Sequence, residues 1–305
     1  MGFGRRALLA ALLGVALSAC SVSEIAVDTV AGFLGDAAPR GYFDYETAGQ
    51  AGANTILQFE AMFTVSPENE QIRLTLAKAY EIYAFGWVMD QSEQALVKYD
   101  YEQADRHQHR AHIMYKRANN LVLSIMRERD AGIDAALEGD PGELMAYLKK
   151  HYPDPEDDVE LIFWCALTFG STVTSSPDMT DLMEIPAVRV VARYASMLNA
   201  SYESAGAMAL LAGIDGSYPE EGGGDWARSK RLFERAIELS EGKSHLHHVN
   251  FARTYAITAQ DRELFVKLLH EVIDAPDQGD AMRLSNKVAR RRAERYLKHI
   301  DYWFE

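Results

Sequence analysis

The sequence predicts an all-α fold built of helix pairs. Three observations carry that prediction. Apolar residues recur at helical spacing, proline and glycine cluster at a few places only, and the alternating runs typical of strands are scarce. The breaks fall at Ser66-Pro67, Gly139-Asp140-Pro141-Gly142, Pro153-Asp154-Pro155, Ser176-Pro177, Pro219 to Gly224, and Asp274 to Gly279. Between them, Ala227, Leu232, Phe233, Ala236, Ile237 and Leu239 form one amphipathic stripe. Leu264, Phe265, Leu268, Leu269, Val272 and Ile273 form another.

The chain opens with a different pattern. Arg5 and Arg6 precede an apolar run, Ala7 to Leu17, too short to span a bilayer as a mature helix. Leu17-Ser18-Ala19-Cys20 then reads as a lipobox, so residues 1–19 are expected to be a lipoprotein signal peptide, with the lipid on Cys20. Residues 20–40 are expected to be a lipidated tether, and 41–305 a single α-helical domain. Ser21 after the cysteine favours the outer membrane over the inner. Removing residues 1–19 takes away two arginines and no acid, leaving 29 basic and 45 acidic residues and a net charge of −16. Such acidity argues against nucleic acid and against peripheral binding to anionic membranes. Once Cys20 is lipidated, Cys165 is the one remaining cysteine, so no intramolecular disulfide is expected.

Degenerate repeats follow along the chain. Leu76-Ala77-x-x-Tyr80 fits the first helix of a tetratricopeptide pair, and Ala111-x₃-Tyr115-x₂-Ala118 fits a second helix after an unusually long intervening segment. Ser229-x₃-Phe233-x₂-Ala236 and Phe251-Ala252-x-x-Tyr255 repeat the pattern downstream. Phe265-x₃-Leu269-x₂-Val272, with Pro276 beyond it, is a weaker copy. Small residues let paired helices approach, and the aromatic residue fills the groove between pairs. The expected domain is therefore a stack of cryptic tetratricopeptide-like pairs, although residues 125–200 match the repeat poorly.

These stretches, with others, resemble the TatT family, the T components of tetratricopeptide-associated TRAP transporters. The resemblance runs through Tyr83-Ala84-Phe85-Gly86, Tyr194-Ala195-x-x-Leu198-Asn199-x-x-Tyr202-Glu203, and Gly222-Gly223. It continues through Gln260 to Phe265, Leu284-x-Asn286-x-x-Ala289-x-Arg291-Arg292-Ala293, and the closing Ile300 to Phe304. It departs at Asn119-Asn120, which replaces an arginine-rich patch, and at Trp164-Cys165-Ala166-Leu167, which follows a Trp-Gly pattern loosely. The resemblance implies a lipid-anchored periplasmic accessory protein that docks a TRAP-type solute-binding protein, the P component. It also implies a homotrimer, and a cleft or pore for a small hydrophobic ligand. The alternative is a periplasmic tetratricopeptide scaffold for envelope assembly.

Several residue groups could carry function, and each also has a plainer structural reading. Tyr80, Tyr83, Phe85 and Trp87 are a denser aromatic series than a helix needs; they line a ligand cleft or pack within a helix pair. Arg290-Arg291-Arg292 with Arg295 is the main basic cluster. Arg292, sharing a family-like motif with Asn286, either points inward to fix a loop or a carboxylate, or pairs with acids on a solvated face. His107, His109 and His112, and His245, His247 and His248, form two groups for which structural imidazoles lead over a metal-carrier reading. No metal or other cofactor is expected besides the lipid. Asp225 is expected to cap a helix after the Pro219 to Gly224 loop. No nucleophile elbow, P-loop, dinucleotide fingerprint or HExxH occurs, and catalysis is not expected.

Overall fold

A computed structural model describes residues 44–304. The leader of residues 1–19, Cys20 and the tether of residues 20–40 lie outside the described residues. Every described element is helical, and no strand occurs among the described residues. In chain order the α-helices are α1 (Tyr45–Val65), α2 (Glu70–Tyr83), α3 (Met89–Leu96), α4 (Tyr101–Arg129), α5 (Ile133–Leu137), α6 (Pro141–His151) and α7 (Val159–Ser175). They continue with α8 (Ile185–Leu198), α9 (Gly206–Gly216), α10 (Trp226–Leu239), α11 (His245–Asn250), α12 (Arg262–Asp274), α13 (Asp280–Lys298) and α14 (Ile300–Trp303). Two π-helical segments are inserted, Ala84–Val88 between α2 and α3, and Phe251–Ala256 after α11.

The breaks read from sequence separate these helices, and the caps explain why. Asp44, Asn69, Asp140, Asp225 and Asp261 each place a side-chain oxygen on a backbone N–H of the first turn, satisfying a donor the helix leaves free. Asp225 caps α10 as expected, accepting from Arg228 N at 2.8 Å. Pro141 and Pro186 sit in the first turn of their helices, where a missing N–H is harmless. After α10 the chain reverses through Gly242 at φ 69°, a left-handed position glycine adopts without steric penalty.

Neighbours in sequence pack as neighbours in space. α1 lies on α2, α2 and α3 on α4, α4 on α7, α7 on α8, α8 on α9, α9 on α10, and α12 on α13. α13 also returns to α1, bringing the C-terminal region against the N-terminal one. The long segment expected between Tyr80 and Ala111 is itself mostly helical, continuing α2 through the π segment into α3. Ala77, Ala111, Ala118, Ser229, Ala236 and Ala252 are fully buried where helices meet, and Tyr115 fills a groove beside Ala84 and Val88. This arrangement is compatible with the expected helical repeat. One core gathers Phe59, Ile72, Leu76, Ile125, Met126 and Leu148; a second gathers Phe233, Phe251, Phe265 and Tyr296. Each large apolar side chain so buried contributes roughly 1.5–3 kcal/mol. Among the described residues, no helix is long and apolar enough to cross a membrane.

Candidate functional site

Tyr80, Tyr83 and Trp87 follow one another at spacings of three and four, so they project from one side of α2 and its π-helical extension. That side faces α1. Trp87 stacks between Tyr45 and Tyr83, with ring centroids 5.2 and 5.7 Å away. Glycines on α1 make room for the rings. A Cβ at Gly49 would lie 2.4 Å from Trp87 Nε1, and one at Gly52 3.0 Å from a Tyr83 ring carbon. Trp87 Nε1 donates to the Tyr45 carbonyl at 3.1 Å. Tyr80 donates its hydroxyl to Glu60 at 2.8 Å, and Arg117 grips the same carboxylate with two bonds of 3.0 and 2.9 Å. Burial and the Glu60 hydrogen bond push the Tyr80 hydroxyl up to about 12. The three aromatic side chains, all half-buried, thus join α2 to α1.

The π segment is where the third element arrives. A π turn widens the helix and disturbs its hydrogen-bond ladder, so carbonyls there take outside donors. The Gly86 carbonyl accepts from the Tyr45 hydroxyl at 2.7 Å, and the Phe85 carbonyl accepts from Arg292 Nη2 at 2.6 Å. Arg292 is only 4% exposed, and its guanidinium lies over the Phe85 ring, 4.0 Å from the centroid. The structure therefore brings Arg292 to the segment that carries Trp87, while Tyr80 stands further along the same row.

Two carboxylates on α3 complete the joint. Asp90 and Glu93 are buried, and α13 supplies their partners. Arg295 donates to both carboxylates, Arg291 Nε reaches Asp90 at 3.3 Å, and Tyr296 donates its hydroxyl to Glu93 at 2.7 Å. Arg253, from the second π segment, places Nε 3.6 Å from Glu93. Burial alone would raise the Glu93 pKa. The surrounding Arg292, Arg253 and Arg295, with the Tyr296 hydrogen bond, outweigh it and hold the carboxyl at about 2. The sequence reading picked out the arginines and missed Asp90 and Glu93. Two acids three apart, next to the dense aromatic series, were the available signal.

Asn286 sits elsewhere. Its Oδ1 accepts from His245 N at 3.0 Å and its Nδ2 donates to the Lys243 carbonyl at 2.8 Å, so it pins the turn into α11. It also lines a cleft of about 80 Å³ between α13 and the turn at 275–279. A wider, more open cleft of about 510 Å³ lies between α5 and α6, lined by Asp130, Tyr147, Lys150 and His151 among others. Sequence reasoning singled out none of these four, which fall in the poorly matching middle third. Tyr80, Tyr83, Trp87 and Arg292 line neither cleft.

The histidine groups settle into the fold differently from one another. His245, His247 and His248 are buried, and burial lowers all three pKa values, that of His248 to about 4 with help from His245. His247 Nε2 donates to the Ser204 carbonyl at 2.6 Å. His112 Nδ1 lies 3.2 Å from the Thr172 carbonyl, joining α4 to α7. Among the described residues, no three or more His, Cys, Asp or Glu side chains are grouped to hold a metal ion. Cys165 is fully buried in α7, and burial pushes its thiol up to about 12. Glu81 is another buried carboxyl: one oxygen accepts from Ser171 at 2.6 Å and the other has no partner. Burial, partly opposed by Ser171, raises it to about 8.

Comparison with known proteins gives one family. Residues 42–304 match the family model described as TRAP transporter T-component, which spans essentially the whole described fold. No curated protein matches the chain.

Proposed function

The chain belongs to the TRAP transporter T-component family and is an accessory protein of such a transporter; from that premise we propose that it works in the periplasm by docking a solute-binding P component. The family match over residues 42–304 carries this reading. The lipobox ending at Cys20 supports a lipid anchor, placed in the outer membrane rather than the inner by Ser21. The tether of residues 20–40 would hold the helical domain within reach of a membrane-bound partner. The acidic surface suits a basic patch on the P component, since complementary charge speeds encounter and fixes register. Homotrimer formation is part of the same proposal.

Passage of a small hydrophobic ligand along Tyr80, Tyr83 and Trp87 requires more than docking. Those rings are packed against α1, so a ligand reaching them must separate α1 from α2. A chain that docks without opening this seam would work as an adaptor only.

The test is recovery of the lipidated protein from its native envelope, with a Cys20→Ser form as the mislocalised control and partners identified by mass spectrometry. A TRAP-type solute-binding protein in stoichiometric amount, lost in the control, is the expected result. Envelope-assembly proteins in its place would make the scaffold reading correct and this one wrong.

A further inference from the structure

Six of the cations on helix α13 fall in two groups. Arg291, Arg292 and Arg295 turn to the buried carboxylates of α3. Arg283, Lys287 and Arg290, spaced by four and three residues, line instead the cleft of about 80 Å³ against the turn at 275–279. Among the described carboxylates Asp277 alone lines that cleft, and it is engaged with Arg283 at 2.9 Å. Lys287 is exposed and forms no ion pair with a described side chain. Arg290 donates to the Ile273 carbonyl and keeps its Nε 3.7 Å from Glu294, a half-exposed and weak contact. Asp44 and Asp277 act on Lys287 only at longer range, so Lys287 and Arg290 present cationic groups to the cleft in a chain of net charge −14.

His245 supplies the second, independent observation. It is only 5% exposed, it lines the same cleft, and its Nε2 has no hydrogen-bond partner. Buried polar atoms without a protein partner are rare in folded proteins, so the His245 ring nitrogen is available to a small group in the cleft. Asn286 spends both ends of its amide on the turn at Lys243 and His245, so it is a positioning residue that fixes where the imidazole sits. A cleft of about 80 Å³ suits one small group.

We propose that this cleft binds a small oxyanion, a phosphate or carboxylate group, held by Lys287 and Arg290 with His245 as a further donor. Arg290 offers a planar fork and Lys287 a mobile point charge, a pairing suited to oxyanions. Burial and the neighbouring Arg290 depress the His245 pKa. A bound anion reverses part of that effect, because negative charge beside the ring favours its protonated form. The site is independent of which protein the chain docks.

The experiment is calorimetric titration of the full-length protein in detergent, at low ionic strength and pH 7, with inorganic phosphate and separately with acetate. The K287Q/R290Q double variant and a control, K230Q/R231Q on exposed positions of α10, are titrated alongside. Imidazole NMR signals, assigned with H245Q, follow the His245 titration with and without phosphate. The expected result is saturable one-site binding, weakened at least tenfold in K287Q/R290Q and unchanged in the control, with the His245 pKa raised by the bound anion. Saturation by phosphate alone assigns the site to phosphate groups, and saturation by acetate assigns it to carboxylates. No saturable binding by either, equal weakening in the control, or an unmoved His245 titration overturns the proposal.

Discussion

Two buried carboxyls twelve residues apart behave in opposite ways. Glu93 on α3 is ringed by Arg253, Arg292 and Arg295 and is held at about 2, so it is charged at every physiological pH. Glu81, near the end of α2, faces α7 with Ser171 as its hydrogen-bond partner and rises to about 8, so it is mostly neutral at pH 7. Both are desolvated to a similar degree. What separates them is whether a distant segment brings cations. The difference shows two ways of burying an acid between helices. One is to surround it with arginines from 160 to 202 residues away, which ties α13 and the second π segment to α3. The other is to keep it protonated, which makes the α2–α7 seam sensitive to pH.

The largest expected effect comes from breaking the charged joint. Asp90 accepts from Tyr45, Gln94, Arg291 and Arg295. Asp90→Ala takes one of two carboxylates from the largely buried Arg295 and leaves it Glu93 alone, and removing one partner of a buried ion pair typically costs about 3–5 kcal/mol. We expect the urea midpoint to fall accordingly with the m-value unchanged. Adding Arg295→Met to Asp90→Ala should cost less than the two single changes summed, because the stranded cation is removed with its partner. Strict additivity would mean that the cluster is not one coupled unit.

The charged joint also marks where sequence reasoning stops. Helices, breaks and caps were legible because they depend on local spacing and on single residues such as Asp225 and Pro141. The density of aromatic residues around Tyr83 was legible too, and so was the arginine cluster. The partners were not. That Trp87 fits against Gly49 depends on how α1 packs along α2 and its π extension, and that Arg295 meets Asp90 and Glu93 depends on how α13 returns to α3; no local period encodes either. Arg292 and Asn286 share one motif and one helix, yet their side chains serve a π segment and a turn at different places. Glu81 is buried by α7, whose Ser171 lies 90 residues further along the chain, and nothing in the local spacing of α2 marks it.

A second, intermediate effect tests the two pKa directions. The folded Glu81 pKa lies above its ordinary value of 4.5, so the folded state holds a proton that the unfolded state releases between pH 4.5 and 8. Stability must therefore fall as pH rises across that window, by up to about 1.4 kcal/mol per pH unit from this group. Glu93 has the reverse sign: its folded pKa is lowered, so its contribution is complete above pH 4.5 and is lost as pH falls toward 2. Denaturant unfolding measured from pH 3 to 9 should show both limbs. Glu81→Gln should flatten the limb above pH 4.5 and leave the acid limb in place. A Glu81→Gln profile parallel to the parent across pH 5–8 would mean that the carboxyl is not titrating inside the fold.

The smallest effect is the most specific to the neutral arrangement. Ser171 donates to Glu81 at 2.6 Å, a bond that favours the charged form and so restrains the rise in pKa. Ser171→Ala removes it. Losing a single hydrogen bond between partly buried groups costs about 0.5–1.5 kcal/mol, far less than losing Asp90. The accompanying change is directional: without the serine, burial acts unopposed and the Glu81 titration must move to higher pH. The descending limb should then extend further into the alkaline range, while the acid limb set by Glu93 stays fixed. A shift to lower pH would mean that solvent reaches Glu81 once the hydroxyl is gone, and that the seam between α2 and α7 is held open by water rather than closed by packing.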